Sequence, residues 1–399
     1  MRRLLLICLL LTSCLPSAWG GITISPQTFK VLEQAEKLFD QKAYSQAVNK
    51  IQNRLNQVST SLEKALLLKS LATAYLLQGK HAQALTHLKQ ALAIQALPES
   101  QRSQILLMLG QLYLTLGNPR EAIAVLETWR QSASRLGPDD HALFAQAYTE
   151  LKKYPKALEH ISLALKLSPK PQVSWLELRL ALNYEMKNYR AAIADAKRLI
   201  RLHPDRKNYW QQLAGLYQLS HQTVTATAAL ELEEWLGMLD KEKEVLNLIA
   251  MLRVAHAPYL AAQRMQIGLE SGQVKKNHKR LDLLAALWTE AREYDQAIEA
   301  LEEAAQLKAD GKTWLRLGQL FYQREQWKQA ARSLTSALKR GGLKHPGQAW
   351  LLLGSTYLEL EQLKEAREAF RHASKYSRTR QAAEQWMNYL NHLPGSQRG

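Results

Sequence analysis

The chain has 399 residues and a formal net charge of +17 at pH 7. Its length would accommodate two or three ordinary globular domains. With two arginines near the N-terminus set aside, 51 basic side chains still face 36 acidic ones. The positive charge therefore belongs to the body of the chain, and it favours acidic proteins, phospholipid headgroups, cell-wall polymers or nucleic acid as partners. Cys8 and Cys14 are the only cysteines, so disulfide bonds are excluded once the leader described next is removed.

Residues 1–20 have the pattern of an export signal. Two arginines precede the apolar run Leu4–Leu11, which is far shorter than the roughly 20 residues needed to span a bilayer. Leu11–Cys14 resembles a bacterial lipobox, in which Cys14 becomes lipidated, whereas Ala18–Gly20 resembles an ordinary signal-peptidase site. We therefore expect a periplasmic protein, either soluble or anchored to the outer membrane by its lipid. An uncleaved N-terminal anchor is the third alternative.

From Phe29 onward, apolar residues recur with the period of amphipathic helices in units of 33 to 38 residues. The clearest unit has one helical stripe and then a second, at Trp314, Leu317, Gly318, Phe321, Ala330, Leu334 and Ala337. The same spacing recurs at Trp350, Leu353, Gly354, Tyr357, Ala366, Phe370 and Ala373. Ten units begin at Val31, Leu68, Leu106, His141, Trp175, Trp210, Val245, Leu281, Trp314 and Trp350.

These residues resemble the tetratricopeptide repeat, whose signature is W-x2-L-G-x2-Y followed by A-x3-F. The resemblance implies an all-α fold, a right-handed superhelical solenoid of about ten helix hairpins, each with a first helix A and a second helix B. We assign the solenoid to residues 28–377 and place a bend near 231–244, where a long acidic and apolar helix is expected. A capping helix at 378–393 and a tail at 394–399 complete the chain.

The small residues in these stripes have a packing explanation of their own. Gly318 and Gly354 leave space on helix A, so that a large side chain of helix B can approach closely. The first unit departs from the pattern, because Gln34 and Arg54 stand at positions that are usually apolar or small. The register of the seventh unit is also left open.

The sequence contains no catalytic motif: it has no P-loop, no GxSxG, no HExxH and no CxxC. Its 11 histidines are scattered, and the acidic pairs Glu233–Glu234 and Glu302–Glu303 are expected on solvated helix faces. The tryptophans that begin several A helices are expected in the core. We therefore expect no enzymatic activity, no metal and no cofactor.

The resemblance also implies where a partner binds, because helix A lines the concave surface in this family. Residues offset from the packing stripe form the predicted partner-binding set: Lys69, Gln111, Gln146, Asn183, Tyr184, Gln211, Gln218, Gln319 and Tyr322. Their amide, hydroxyl and ammonium groups can hydrogen-bond a peptide. Two further stretches, Ile22–Gln27 and Ala43–Ala47, are similar to the repeat proteins that accompany TonB-type energy-transduction systems.

The leading hypothesis is a scaffold that binds proteins of the cell envelope within an envelope or TonB-type transport assembly. The alternative is an accessory factor for cell-wall or envelope-polymer synthesis, which binds an anionic polymer or its synthase. Basic clusters at Lys275–Arg280 and within 364–380 are candidate contacts for anionic surfaces. Because export removes the chain from the cytoplasm, nucleic acid is not an expected partner.

Overall fold

The computed structural model describes residues 24–133, 135–308 and 310–392. Within these residues there are 21 α-helices and no strand, which confirms the all-α prediction. The predicted export signal, its Cys14 and the 394–399 tail lie outside the described residues. Among the helices that the structure describes, none is both long enough and apolar enough to cross a bilayer.

The helices form ten hairpins and one additional helix, α21, Arg380–His392. The A helices are α1 Pro26–Asp40, α3 Ser61–Leu77, α5 Glu99–Thr115, α7 Pro138–Glu150, α9 Val173–Glu185, α11 Lys207–Leu219, α13 Glu242–Val254, α15 His278–Glu290, α17 Gly311–Gln323 and α19 Pro346–Glu359. The B helices are α2 Tyr44–Leu55, α4 His81–Ala93, α6 Pro119–Ser132, α8 Tyr154–Leu167, α10 Tyr189–Leu202, α12 Thr223–Trp235, α14 Pro258–Glu270, α16 Tyr294–Leu307, α18 Trp327–Arg340 and α20 Leu363–Ala373.

The chain divides into two compact units between residues 195 and 196, a point inside α10. In the first unit, consecutive helices from α1 to α9 pack on one another, and in the second unit the same holds from α11 to α21. The predicted bend region, 231–244, lies wholly within the second unit and contains no long helix. Instead α12 ends at Trp235, Gly237 adopts a left-handed conformation (φ 71°), and α13 begins at Glu242.

Every hairpin turns through one residue with positive φ in a three-residue loop between its A and B helices. In the first hairpin the N–H of Lys42 donates to Phe39 O and the N–H of Ala43 donates to Leu38 O, the pattern of a Schellman cap. Two of the ten positions are glycine and eight are not: Lys42, Gly79, Gly117, Lys152, Lys187, His221, His256, Arg292, Glu325 and Glu361. This shared turn gives the hairpins their common geometry.

Glycine permits the close approach of the two helices in the clearest repeats, as the sequence predicted. A Cβ built on Gly318 would lie 2.6 Å from Leu334 Cγ, and one built on Gly354 would lie 2.5 Å from Phe370 Cε1. Both partners on helix B are fully buried. These contacts are shorter than any carbon–carbon packing distance, so the helices could not lie this close with a side chain at either position.

Arg54, one of the two unusual residues of the first hairpin, belongs to a largely buried polar cluster. Arg54 Nε donates to Thr28 Oγ1 (2.9 Å), and the guanidinium lies 3.7 Å from the Glu63 carboxylate at the start of α3. The Ser25 N–H also donates to Glu63 Oε1 at 2.6 Å. Burial opposes ionisation of Glu63, but hydrogen bonds from Ser25 and Thr28, with the charge of Arg54, lower its pKa. Arg54 therefore links the first hairpin to the second.

The additional helix α21 packs on the B helix of the tenth hairpin. Its Ala383 and Leu390 join a buried cluster with Ala366, Phe370 and Ala373 of α20. Apolar surface that a further hairpin would cover is thus covered by one helix.

Candidate protein-interaction site on the A helices

In the first unit, Lys69 connects the A helices of neighbouring hairpins. Its Nζ donates to Gln101 Oε1 at 2.7 Å and also to Gln104 Oε1, both on α5. The half-buried Lys69 thus joins α3 to α5. Its charge also acts on the Glu36 carboxylate of α1, where it opposes the rise in pKa that burial causes.

The other predicted residues of this unit differ in how accessible they are. Gln111 on α5 and Gln146 on α7 are half-buried, and Gln111 Oε1 is shielded from solvent without a hydrogen-bond partner in the described part of the chain. Gln146 Nε2 lies 3.5 Å from Glu150 Oε1 on its own helix. Tyr184 on α9 is 47% exposed, and its ring centroid lies 6.5 Å from that of Tyr189. Tyr184 is the most accessible predicted residue here.

Asn183 is not a surface residue, so its assignment to the partner-binding set is wrong. It is 4% exposed, and its Nδ2 donates to Asp195 Oδ2 at 3.2 Å. Asp195, on α10, is 2% exposed and also pairs with Arg179, which lies one helical turn before Asn183. A buried carboxylate requires such donors because burial removes its hydration. Asn183 therefore stabilises the contact between α9 and α10.

In the second unit, Gln211 on α11 bonds to two acidic side chains. Its Nε2 donates to Glu233 Oε1 (3.2 Å) on α12 and to Glu244 Oε1 (3.3 Å) on α13. Glu233 is fully buried, and burial raises its pKa, although the bond from Gln211 and the charge of Lys207 partly oppose this. The expectation that Glu233 lies on a solvated face is wrong, because it stands where the ninth repeat has the buried Ala337.

Lys207, at the start of α11, adds an ionic contact to the same region. Its Nζ donates to Glu244 Oε2 at 2.7 Å and also pairs with Asp240. Burial disfavours the charged amine, but the hydrogen bonds with Asp240 and Glu244 outweigh that effect and raise the pKa of Lys207. The ammonium thus remains charged and fastens α11 to the start of α13.

Several polar pairs join successive A helices of the second unit at a separation of one repeat. Gln218 Nε2 approaches Met251 Sδ at 3.2 Å, 33 positions along the chain. Arg253 pairs with Glu290 (37 positions), Arg280 with Glu242 (38 positions) and Arg316 with Asp282 (34 positions). These pairs were not predicted from the sequence. Opposite charges one repeat apart on A helices are the signal that would have identified the three ion pairs.

At the ninth hairpin, Gln319 and Tyr322 differ in their surroundings. Gln319 is exposed on α17, as expected. Tyr322 is half-buried, packs against the core of the second unit and meets Trp327 edge-on at a centroid distance of 5.1 Å. Burial and the nearby Glu359 raise the pKa of its hydroxyl. The prediction that both side chains turn away from the packed face is therefore wrong for Tyr322, because α18 begins directly beside it.

The predicted set thus separates into exposed residues and residues that are half-buried or buried. The exposed ones are Tyr184, Gln211, Gln218 and Gln319, and of these Gln211 and Gln218 already bond to neighbouring helices. Within residues 24–133, 135–308 and 310–392, no group of three or more His, Cys, Asp or Glu side chains is arranged to hold a metal ion.

Stacked helix hairpins of nearly equal length, joined by ladders of polar pairs, define an α-helical repeat protein. Family models described as tetratricopeptide repeat match residues 63–129, 107–170, 176–206 and 315–377, about half of the chain in all. The chain belongs to the tetratricopeptide-repeat family. No curated protein matches its sequence.

The chain is similar to several solved structures, two of which are described as tetratricopeptide-repeat proteins. A tetratricopeptide repeat protein from Parabacteroides merdae is 16% identical, with 71% of this chain and 94% of that one covered and a TM-score of 0.42. The C-terminal part of a TPR repeat-containing protein from Cytophaga hutchinsonii is 15% identical, with 70% and 95% covered and a TM-score of 0.40. MamA from Desulfovibrio magneticus is 14% identical, with 46% and 99% covered and a TM-score of 0.39.

Proposed function

We propose that the protein is a non-catalytic scaffold of the bacterial periplasm that binds protein partners through exposed side chains of its A helices. The observation that carries this proposal is the contrast between two kinds of A-helix residue. Polar groups such as those of Lys69, Gln211 and Arg253 bond to a neighbouring helix, whereas Tyr184 and Gln319 stay exposed. Exposed aromatic residues on rigid helices are frequent anchors in protein interfaces.

The partner is proposed to be a protein of an envelope or TonB-type transport assembly. The support is the export pattern of residues 1–20 and the sequence resemblance at Ile22–Gln27 and Ala43–Ala47. Mass spectrometry of the native chain tests the location. An N-terminus at Gly21 supports a soluble periplasmic protein, and a lipid-modified Cys14 supports an anchored one. An intact Met1 contradicts both cleavage sites and leaves the uncleaved anchor or a cytoplasmic protein.

Matched pairs of exposed residues test the binding surface. Tyr184→Ala and Gln319→Ala alter A helices, whereas Tyr259→Ala and Gln263→Ala alter exposed residues of the same types on the B helix α14. Tyr259 is a close control, since it is 49% exposed and also contacts an aromatic ring, that of Trp288. We expect proteins captured from an envelope extract by the immobilised chain to be reduced only by the A-helix changes. Equal retention by all four variants would place the binding surface elsewhere.

The basic character of the chain supports a second candidate, an accessory factor for cell-wall or envelope-polymer synthesis. Helix α18 has four basic residues and no acidic one: Lys328, Arg332, Lys339 and Arg340. Such a surface attracts anionic polymers, and this attraction weakens with salt. Retention on purified cell-wall polymer at 150 mM salt (about the physiological ionic strength), together with no specific protein capture, would favour this second function.

A further inference from the structure

A groove of about 380 Å³ lies in the second unit between the B helices α16 and α18, above the A helix α17. Its apolar lining consists of Trp314, Leu317 and Phe321 from α17 and Ala305 from α16. Arg332 and Gln329 of α18 line it with polar groups. The volume lies within the range of roughly 300–1,000 Å³ that is typical of ligand sites.

The preceding pair of B helices forms an equivalent groove, which shows what is particular about this one. The groove between α14 and α16 has a volume of about 150 Å³. Leu269 lines it at the position that Ala305 holds one repeat later, and Glu299 lines it where the larger groove has Arg332. Replacement of a leucine by an alanine leaves space between the helices, and replacement of a glutamate by an arginine reverses the charge at the rim.

The charges around the larger groove favour an acidic ligand. Lys328, Arg332 and Lys339 of α18 form no ion pair with any residue that the structure describes. Glu302 of α16 is the one acidic side chain among the described residues that line the groove. An exposed cation beside an apolar surface is suited to bind a carboxylate that follows an apolar side chain.

We propose that this groove binds an extended segment of a protein partner in which an apolar side chain is adjacent to an acidic one. The apolar side chain packs on Trp314, Leu317 and Phe321, and the carboxylate accepts hydrogen bonds from Arg332. This inference rests on the proposed function and deepens it, because it adds a second contact surface, distinct from Tyr184 and Gln319, and states the chemistry of the partner. An anionic polymer without apolar groups would gain only the charge interaction.

Fluorescence anisotropy with synthetic ten-residue peptides and the full chain tests the groove directly. The probe alternates leucine or phenylalanine with aspartate. One control peptide has lysine in place of aspartate, another has serine in place of the apolar residues, and heparin represents an anionic polymer. We expect the apolar–acidic peptide to bind at least about tenfold more tightly than either control peptide, since an ionic hydrogen bond and apolar burial each contribute affinity of this order.

Two variants locate the binding on the protein. Arg332→Glu should reduce the affinity for the apolar–acidic peptide by about 10- to 100-fold, the loss expected for a charged hydrogen bond. Ala305→Leu gives the groove the side chain found in its smaller equivalent and should reduce the affinity by a similar factor. Lys339→Glu makes the same charge change on the same helix outside the groove lining, and it should alter affinity by no more than about threefold because exposed charges are screened. Unchanged melting temperatures confirm that all three variants fold.

The outcomes separate this inference from the proposed function. No peptide binding, equal binding of the serine control or heparin, or equal losses with Lys339→Glu and Arg332→Glu would each overturn the groove proposal. If Arg332→Glu and Ala305→Leu leave peptide binding unchanged while proteins are still captured through Tyr184 and Gln319, the groove is excluded as a contact surface and the scaffold function stands. Peptide binding that is insensitive to Tyr184→Ala and Gln319→Ala confirms that the groove acts separately from the A-helix residues.

Discussion

Arg179 and Asp195 form an ion pair between the A and B helices of the fifth hairpin, at the positions where the ninth hairpin has Leu317 and Ser333. Arg179 Nε lies 3.1 Å from both carboxylate oxygens of Asp195, which is 2% exposed. Equivalent positions of helix A and helix B thus hold an ion pair in the fifth hairpin and a buried leucine and serine in the ninth.

This exchange predicts a different result for single and double substitutions. Arg179→Ala leaves Asp195 buried without its ionic partner, so it should destabilise the first unit by about 3–5 kcal/mol. The double change Arg179→Leu with Asp195→Ser gives the fifth hairpin the residues of the ninth and removes the buried carboxylate, so it should destabilise less than Arg179→Ala. Calorimetric melting of the full chain measures both. A double variant as unstable as Arg179→Ala would show that the unpaired carboxylate is not the source of the loss.

Substitution by alanine should lower the stability at Gly354 and raise it at Gly215. Gly354→Ala places a Cβ against the rigid, fully buried ring of Phe370, and overpacking of this kind costs roughly 1–3 kcal/mol. Gly215 lies inside α11 with no heavy atom within 4 Å of an added Cβ, so Gly215→Ala should stabilise by about 0.5–1 kcal/mol through helix propensity. Thermal unfolding of the two variants checks the prediction. A loss of stability with Gly215→Ala would contradict it.

His141 and His160 should make the stability of the first unit dependent on pH. Their Nδ1 atoms lie 3.1 Å apart across α7 and α8, so at most one of them can carry the shared proton without repulsion. Burial lowers the pKa of both imidazoles, and the charge of His141 lowers that of His160 further. Nearby charges act in both directions, from Asp140, Glu159, Glu127 and Arg130.

The direction of this pH dependence follows from the number of protons that the folded and unfolded chains bind. Because the unfolded chain binds protons at its higher, ordinary pKa of about 6.5, stability is full above that pH and falls as pH drops through the lowered pKa values. The slope is at most about 1.4 kcal/mol per pH unit for each histidine. His160→Phe keeps the stacking on Phe144, at a centroid distance of 4.9 Å, and should reduce the dependence. Melting curves from pH 5 to 8, a range set by the ordinary histidine pKa, test this prediction. His87→Gln is the control and should retain the pH dependence of stability.

The hairpin turns give a fourth prediction. Lys152 is exposed and adopts φ 56°, a conformation that costs a residue with a Cβ about 1–2 kcal/mol. Lys152→Gly should therefore stabilise the fourth hairpin. The gain should not exceed about 1 kcal/mol, because the greater freedom of glycine in the unfolded chain offsets part of it. Gly79→Ala, at the same position of the second hairpin, should destabilise by about 1 kcal/mol although an added Cβ would contact nothing within 4 Å. Two shifts of the same sign would refute this account.

Which residues build the repeat could be predicted from the sequence because the relevant interactions are local. Trp314, Gly318 and Leu334 recur at fixed spacing, and helical periodicity alone assigns them to one packed face. The register of the seventh hairpin, left open by the sequence, is settled by α13 and α14. The division of the chain between residues 195 and 196 has no comparable local signal.

Which polar side chains stay accessible was decided only by the tertiary structure. The sequence places Asn183 and Tyr184 side by side on one helix, yet one is buried and the other exposed, because the buried carboxylate of Asp195 lies on the neighbouring helix. Tyr322 is likewise covered by the start of α18. The space above α17 exists because Ala305, one repeat after Leu269, faces it from another helix. Burial and groove volume depend on what adjacent helices place opposite a residue, and a helical period specifies a face but not its neighbour.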